Sequence, residues 1–291
     1  MRGILKVSAA IWVLVVGHAT RCGVEAAPLR IMPLGDSSTA GNDNFNLTPG
    51  GYRTTLSGLL TNAGYDYDFV GSLQTNPGPI LDNDHEGHGG LQLSQIAHFM
   101  RAPLQVHQPD AVLLLGGTND VTVALHGQPE LTAEVIAGRL DTLLSALYVD
   151  RPNATVFVAT ILAAAPTEVA HAELSAAVNS LIPQVLAMHV AAGRDVHLVD
   201  LRALLTSADL ADSVHPSPMG YEKIGHAWFD AIMSVLPVPL PGDINGDGVV
   251  NIFDLNTVAA NWGAIGTNAA DANHDGVVNI FDINVIFTQS P

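Results

Sequence analysis

The chain is 291 residues long, with 48% hydrophobic and 13% charged residues, a balance that suits a packed α/β domain plus a small module and excludes a disordered chain. Its 28 acidic residues against 11 Lys and Arg give a formal charge of -17, which excludes a surface built to attract nucleic-acid phosphates. Neutral substrates and cations are the expected partners.

At the N-terminus, Arg2 and Lys6 accompany an apolar run from Val7 to Gly17, the pattern of a secretory signal. The run is too short for a bilayer span, which takes about 20 apolar residues. Val24 and Ala26 are small residues at the third and first places before a cut, so cleavage after Ala26 is expected and would remove the single cysteine, Cys22. The mature chain would then carry no disulfide, and its core would hold without one.

Strands are predicted at Leu29 to Leu34, Tyr67 to Val70, Ala111 to Leu115, Thr155 to Ile161 and Val196 to Val199. Between and after them, helical spacing runs over Tyr52 to Asn62, Leu93 to Met100, Glu130 to Tyr148, Glu173 to Ala192 and Gly220 to Val235. In the third of these, Leu131, Val135, Leu140, Leu143, Leu144 and Leu147 fall near one face at about 3.6 residues per turn. This alternation predicts an α/β fold of three αβα layers around a five-stranded parallel sheet. Ligands of such sheets gather at the carboxyl ends of the strands.

Beyond Val235, Pro237, Pro239 and Pro241 predict an extended spacer. DINGDGVVNIFDLN from Asp243 is then repeated as DANHDGVVNIFDIN from Asp271. Each copy sets oxygen side chains at loop positions 1, 3, 5, 9 and 12: Asp243, Asn245, Asp247, Asn251 and Asp254, then Asp271, Asn273, Asp275, Asn279 and Asp282. Gly248 and Gly276 stand at the sharp turn, and Val249 and Val277 would offer carbonyl oxygens. Three carboxylates per loop repel one another unless a divalent cation sits among them, and an all-oxygen donor set suits calcium.

The stretch IMPLGDSSTAG ends the first strand with two serines, Ser37 and Ser38. A nucleophilic serine needs a base, a group to orient that base, and donors for the oxyanion. Asp212 and His215, three residues apart in LADSVHPSPMGY, can supply carboxylate and imidazole. Asn119, in LLLGGTNDV after the central strand, can supply an amide donor. Gly87, Gly89 and Gly90, in DHEGHGGLQL, give a backbone able to approach a reacting carbonyl. Asp36 is expected to hold the turn through local hydrogen bonds, and His85 and His88 to occupy buried or polar-cleft positions, not a metal site.

Taken in chain order, GDS, the glycine before Leu91, GTND and DSVH resemble the four blocks of the SGNH (GDSL-type) hydrolases over residues 29 to 236. GGYRTTL, FVGS, DHEGHGG and DSVHPSPMGY look more specifically like acetyl xylan esterases of carbohydrate esterase family three. The resemblance implies a flavodoxin-like fold, with Ser37 as nucleophile, His215 as general base and Asp212 as its orienter. The amides of Ser37 and Gly90 and the side chain of Asn119 would bind the oxyanion. Leu91 stands where these esterases often have tryptophan.

The C-terminal repeat resembles the dockerin module, a small α-helical unit with two EF-hand-like loops. That resemblance implies two structural calcium ions and a cohesin-like partner. At loop positions 10 and 11, where cellulosomal dockerins commonly carry small hydroxyl residues, this chain has Ile252-Phe253 and Ile280-Phe281. The expected organisation is a signal peptide (1–26), a hydrolase domain (27–236), a linker (237–242) and a calcium module (243–291). The expected function is a secreted esterase that removes short acyl groups from polysaccharide, held by no stable membrane anchor. The alternatives are a lipid or aryl esterase on the same fold, or a non-catalytic calcium-dependent scaffold.

Overall fold

A computed structural model describes residues 27–41, 48–162, 168–236, 240, 242–245, 247, 249–266, 268–273 and 275–289. The expected signal sequence, Gly248 and the three linker prolines lie outside them. The chain forms two compact units, one within 27–238 and the other within 239–291.

The larger unit is built on strands β1 (Leu29–Gly35), β2 (Tyr67–Phe69), β3 (Glu86–Gly87), β4 (Ala111–Leu115), β5 (Thr155–Ala159) and β6 (Val196–Val199). The long strands run parallel in the order β2-β1-β4-β5-β6, as expected from the alternation of strands and helices. The two-residue β3 adds to the carboxyl end of β1, pairing Glu86 with Leu34 and Gly87 with Gly35. It is too short for any hydrophobic period to reveal it.

Helices α1 (Ser37–Ala40), α2 (Tyr52–Asn62), α3 (Leu93–Phe99), α4 (Arg101–His107), α5 (Thr118–Leu125), α6 (Ala133–Asp150), α7 (Val169–Ala191) and α8 (Pro218–Val235) complete this unit. Successive strand residues face opposite ways, so one sheet splits its apolar side chains between two cores. Met32, Leu34, Val112, Leu114, Val156 and Val158 pack against α3, α4, α6 and α7. Ile31, Leu113, Leu115 and Phe157 face α2 and α8, where Tyr52, Leu56, Tyr221, Ile224 and Trp228 are buried. Truncating a ring such as Phe157 to alanine would cost about 3–5 kcal/mol through lost burial and the cavity left behind.

One position of a predicted helical face differs from expectation. Val135 is 43% exposed, and its neighbour Ile136 is fully buried in its place, while Leu131 enters the core from the turn before α6. Leu140, Leu143, Leu144 and Leu147 are buried as predicted, and Ile136, four residues before Leu140, continues their face where Val135 does not; the side chain of Thr132 caps the helix by accepting from Val135 N.

In the smaller unit, α9 (Ile252–Ala260) and α10 (Ile280–Gln289) each follow one acidic loop. Among the described residues its buried core is Val258, Ala270, Val278 and Ile286, with Ile244, Val250, Leu255, Ala264 and Ile283 packed around it.

Candidate active site

At the end of β1 the chain must turn beside the carbonyl of Leu115. A Cβ on Gly35 would lie 1.8 Å from that oxygen, so glycine alone fits. Asp36 N then donates to Leu115 O at 3.2 Å, and Asp36 Oδ1 accepts from Ser38 N at 3.0 Å, capping α1. This is the local role expected of Asp36. Ser37 occupies the first position of α1 and is half-buried, whereas Ser38 is 2% exposed.

The Oγ of Ser37 lies 3.0 Å from Nε2 of His215, although 178 residues separate them. On the other side of the ring, Nδ1 of His215 is 2.8 Å from Asp212 Oδ2. A carboxylate at Nδ1 holds the proton there and leaves the Nε2 lone pair facing the serine hydroxyl. Asp212 Oδ1 accepts the backbone amides of Val214 and His215, both at 2.7 Å. Partial burial raises the carboxyl of Asp212, but these amides and the imidazole outweigh it and leave Asp212 below the ordinary carboxylate range.

The loop carrying this pair is pinned at both ends. Ala211 N donates to His215 O at 2.9 Å, and Ser217 N to Asp209 O at 2.8 Å. Asp209 is buried and receives Lys223 Nζ, Thr206 N and Thr206 Oγ1 at 2.7–2.8 Å, which together hold its carboxyl down at about 2. Ser217 then caps α8 by accepting from Gly220 N, with Pro218 opening the helix.

Asn119 stands second in α5 and donates through Nδ2 to Leu91 O at 3.0 Å. An amide nitrogen carries two donors, so one remains for a ligand. Gly90 has φ +82°, and a Cβ there would meet nothing within 4 Å, so its backbone is open to approach. Among the described residues, no protein acceptor engages the amides of Ser37 or Gly90.

Two positioning residues were not assigned from sequence. Asp120 is fully buried; its Oδ2 accepts Leu93 N at 2.8 Å and its Oδ1 accepts Arg139 Nη1 at 2.7 Å. One carboxylate thereby ties α5, which carries Asn119, to the segment that carries Gly90. Burial raises its carboxyl, despite the bonds from Leu93 and Arg139. Arg53 is also fully buried and donates to Thr39 O at 2.8 Å, which gives the GGYRTTL motif a role in holding α1. The structure places the two histidines in the buried and polar-cleft positions expected of them. His85 is buried, hydrogen-bonded to Thr75 and pushed down to about 3 by its burial; His88 lies beside a cleft.

In the smaller unit the two acidic loops repeat their geometry. Asp247 N donates to Asp243 Oδ1 at 3.1 Å and Asn245 Oδ1 at 2.9 Å; Asp275 N donates to Asp271 Oδ1 at 3.1 Å and Asn273 Oδ1 at 3.0 Å. Positions 1, 3 and 5 therefore converge in both copies. Position 9 caps the following helix, and position 12 reaches back to amides of its own loop. Asn251 and Asn279 cap α9 and α10 by accepting from Phe253 N and Phe281 N at 2.8 Å, and their own amides bond Val249 O and Val277 O. Asp254 and Asp282 are buried and accept backbone amides on both oxygens.

Among the described residues no three His, Cys, Asp or Glu side chains gather tightly enough to hold a metal by themselves. A cation in these loops would thus need the asparagine and carbonyl oxygens as well. That all-oxygen set fits a hard ion such as calcium.

Residues 34–223 match the GDSL-like lipase/acylhydrolase family, and residues 241–287 match the dockerin type I domain. The chain is 30% identical to a multidomain esterase of Ruminococcus flavefaciens over 81% of its own length but 35% of that protein's, so it spans about a third of that relative. It is similar to the solved family 3 carbohydrate esterase of Clostridium thermocellum, at 35% identity and TM-score 0.60, covering 72% of this chain and 97% of that one. A family 3 carbohydrate esterase from Talaromyces cellulolyticus is 26% identical with TM-score 0.58, over 71% and 97% of the two chains.

Proposed function

Because the chain belongs to the GDSL-like lipase/acylhydrolase family, we propose that its larger domain, residues 27–236, is a serine esterase removing acetyl groups from a polysaccharide such as xylan. The observation that carries this reading is the continuous hydrogen-bonded relay from Ser37 through His215 to Asp212. His215 Nε2 takes the proton of Ser37 as Oγ attacks the ester carbonyl. Negative charge then develops on the carbonyl oxygen, where the amides of Ser37 and Gly90 and the free donor of Asn119 receive it. His215 returns the proton to the leaving sugar oxygen, and water repeats the sequence on the acyl-enzyme. Asp212 keeps the imidazole in its working tautomer and balances the imidazolium.

The acetyl and carbohydrate parts of this reading are supported by similarity to family 3 carbohydrate esterases at 35% and 26% identity. Acetate release from acetylated xylan by the purified protein is the test. Efficient release, with long-chain esters cleaved poorly, is the expected outcome; long-chain esters cleaved best would make it a lipid esterase instead.

Residues 237–242 act as the linker and 243–291 as a dockerin module with two calcium sites. Asp243, Asn245, Asp247, Val249 O, Asn251 and Asp254 would hold one ion, and Asp271, Asn273, Asp275, Val277 O, Asn279 and Asp282 the other. Bound calcium neutralises carboxylates that otherwise repel one another. The partner is a cohesin-like protein. Ile252, Phe253, Ile280 and Phe281 are all 52–62% exposed, so both copies offer an apolar pair where hydroxyls would make a polar contact. Attachment of this kind supports secretion, with residues 1–26 acting as the signal.

A further inference from the structure

Beside the reacting centre lies a cleft of about 470 Å³ that the esterase chemistry does not use. Its walls include Ala40, Leu73, Thr75, His88, Leu91 and Phe99. Ala40 ends the helix that Ser37 opens, and Leu91 gives its carbonyl to Asn119, so the cleft shares two walls with the catalytic elements.

His88 is held in this cleft by a buried carboxylate. Nε2 of His88 is 2.6 Å from Oε1 of Glu86, which is 1% exposed, and Glu86 Oε2 accepts Ser72 N at 2.8 Å and Ser72 Oγ at 2.9 Å. The backbone of His88 is fixed as well, because its amide donates to Gly35 O at 2.9 Å. A neutral imidazole whose Nε2–H is given to a carboxylate has its lone pair on Nδ1. Among the described residues, Nδ1 of His88 has no protein partner. Next to it, the ring of Phe99 stacks on the imidazole, with centroids 5.9 Å apart and planes at 26°, yet Phe99 remains 52% exposed.

An acyl-chain pocket would need apolar walls throughout. This one offers an anchored acceptor for a hydroxyl and a bare aromatic face, the mixture that suits a ligand with both polar edges and an apolar face. We propose that the cleft binds a sugar ring of the substrate, with His88 Nδ1 accepting a hydroxyl proton and Phe99 lying against the apolar face of the pyranose. This inference rests on the reading of the substrate as an acylated polysaccharide.

The test compares kcat/KM on acetylated xylan with kcat/KM on ethyl acetate, an ester with no ring, both followed by acetate release. Any inactive fraction of a variant cancels in this ratio. His88→Ala and Phe99→Ala should each lower it about fivefold to tenfold, the worth of one hydrogen bond or packing contact, and Phe99→Tyr should largely restore it. Ratios unchanged within twofold in both alanine variants overturn the subsite while leaving the esterase reading intact. Unaltered protein that cleaves ethyl acetate but releases nothing from acetylated xylan overturns the substrate reading, and the subsite with it.

Discussion

The larger unit and the smaller one treat carboxylates in opposite ways. In the larger unit, Asp120, Asp209 and Asp212 each meet an internal partner, whether guanidinium, ammonium or imidazole, and the geometry around Ser37 is complete within the protein. In the repeated loops the amide of Asp247 draws in Asp243, and that of Asp275 draws in Asp271, over a core in which, among the described residues, four apolar side chains are buried. Charge that is balanced inside the chain gives order on its own. Charge left to an outside cation makes order conditional on that cation.

The largest effect expected of this difference is that Ser37→Ala lowers kcat by roughly a millionfold, while any calcium-dependent melting transition stays where it was. Asn119→Ala, in the same assay, should lose about a hundredfold to a thousandfold. If Ser38→Ala abolished turnover and Ser37→Ala kept it, the assignment of the nucleophile would be wrong. A smaller effect is expected in the repeat. Calcium at about a hundred times its dissociation constant should stabilise the module by about 2.7 kcal/mol per site, and EDTA should reverse this in calorimetry of the full chain. An unchanged module transition under both conditions would sink the calcium reading. Asp247→Ala together with Asp275→Ala should remove the response.

An effect confined to stability, and spread over several pH units, concerns a carboxyl in the larger unit that has no cationic partner in contact. Asp36 is 1% exposed, its Oδ2 is without a hydrogen-bond partner, and burial raises it from 3.8 to about 7 against the pull of Ser38 N and His215. Between about pH 4 and pH 7 the folded protein therefore keeps a proton that the unfolded chain has lost. Stability relative to Asp36→Asn should fall as pH rises through that window, by at most about 1.4 kcal/mol per pH unit. Urea denaturation of the two proteins at pH 4, 5.5 and 7 reads this directly, and a constant difference between them would show that burial does not raise the carboxyl of Asp36.

The long strands were legible because each is a short apolar run between turn residues, and Ala111–Leu115 and Val196–Val199 match their predicted limits. α1, α4 and α5 were not. The first has four residues, Leu104 is the only buried residue of α4, and Val121 is the only large apolar residue buried in α5, too little for a periodic signal. The proposed triad of Ser37, His215 and Asp212 was legible through its residue types and chain order. The work of Asp120 was hidden, because a buried carboxylate and a surface one look alike in a sequence until Leu93 and Arg139 are seen to reach it. The capping of α9 by Asn251, and the hold of Asp254 on the amides of Asn245 and Asn251, were hidden for a related reason: ligand spacing and capping ask for the same residue types at the same places.

The bond from Asn119 to the carbonyl of Leu91 uses only the main chain at residue 91, while the side chain there lines the cleft. A different amino acid at this place would leave that bond standing, and on the reading proposed above it would reshape the wall that meets the sugar without touching the groups proposed to break the ester.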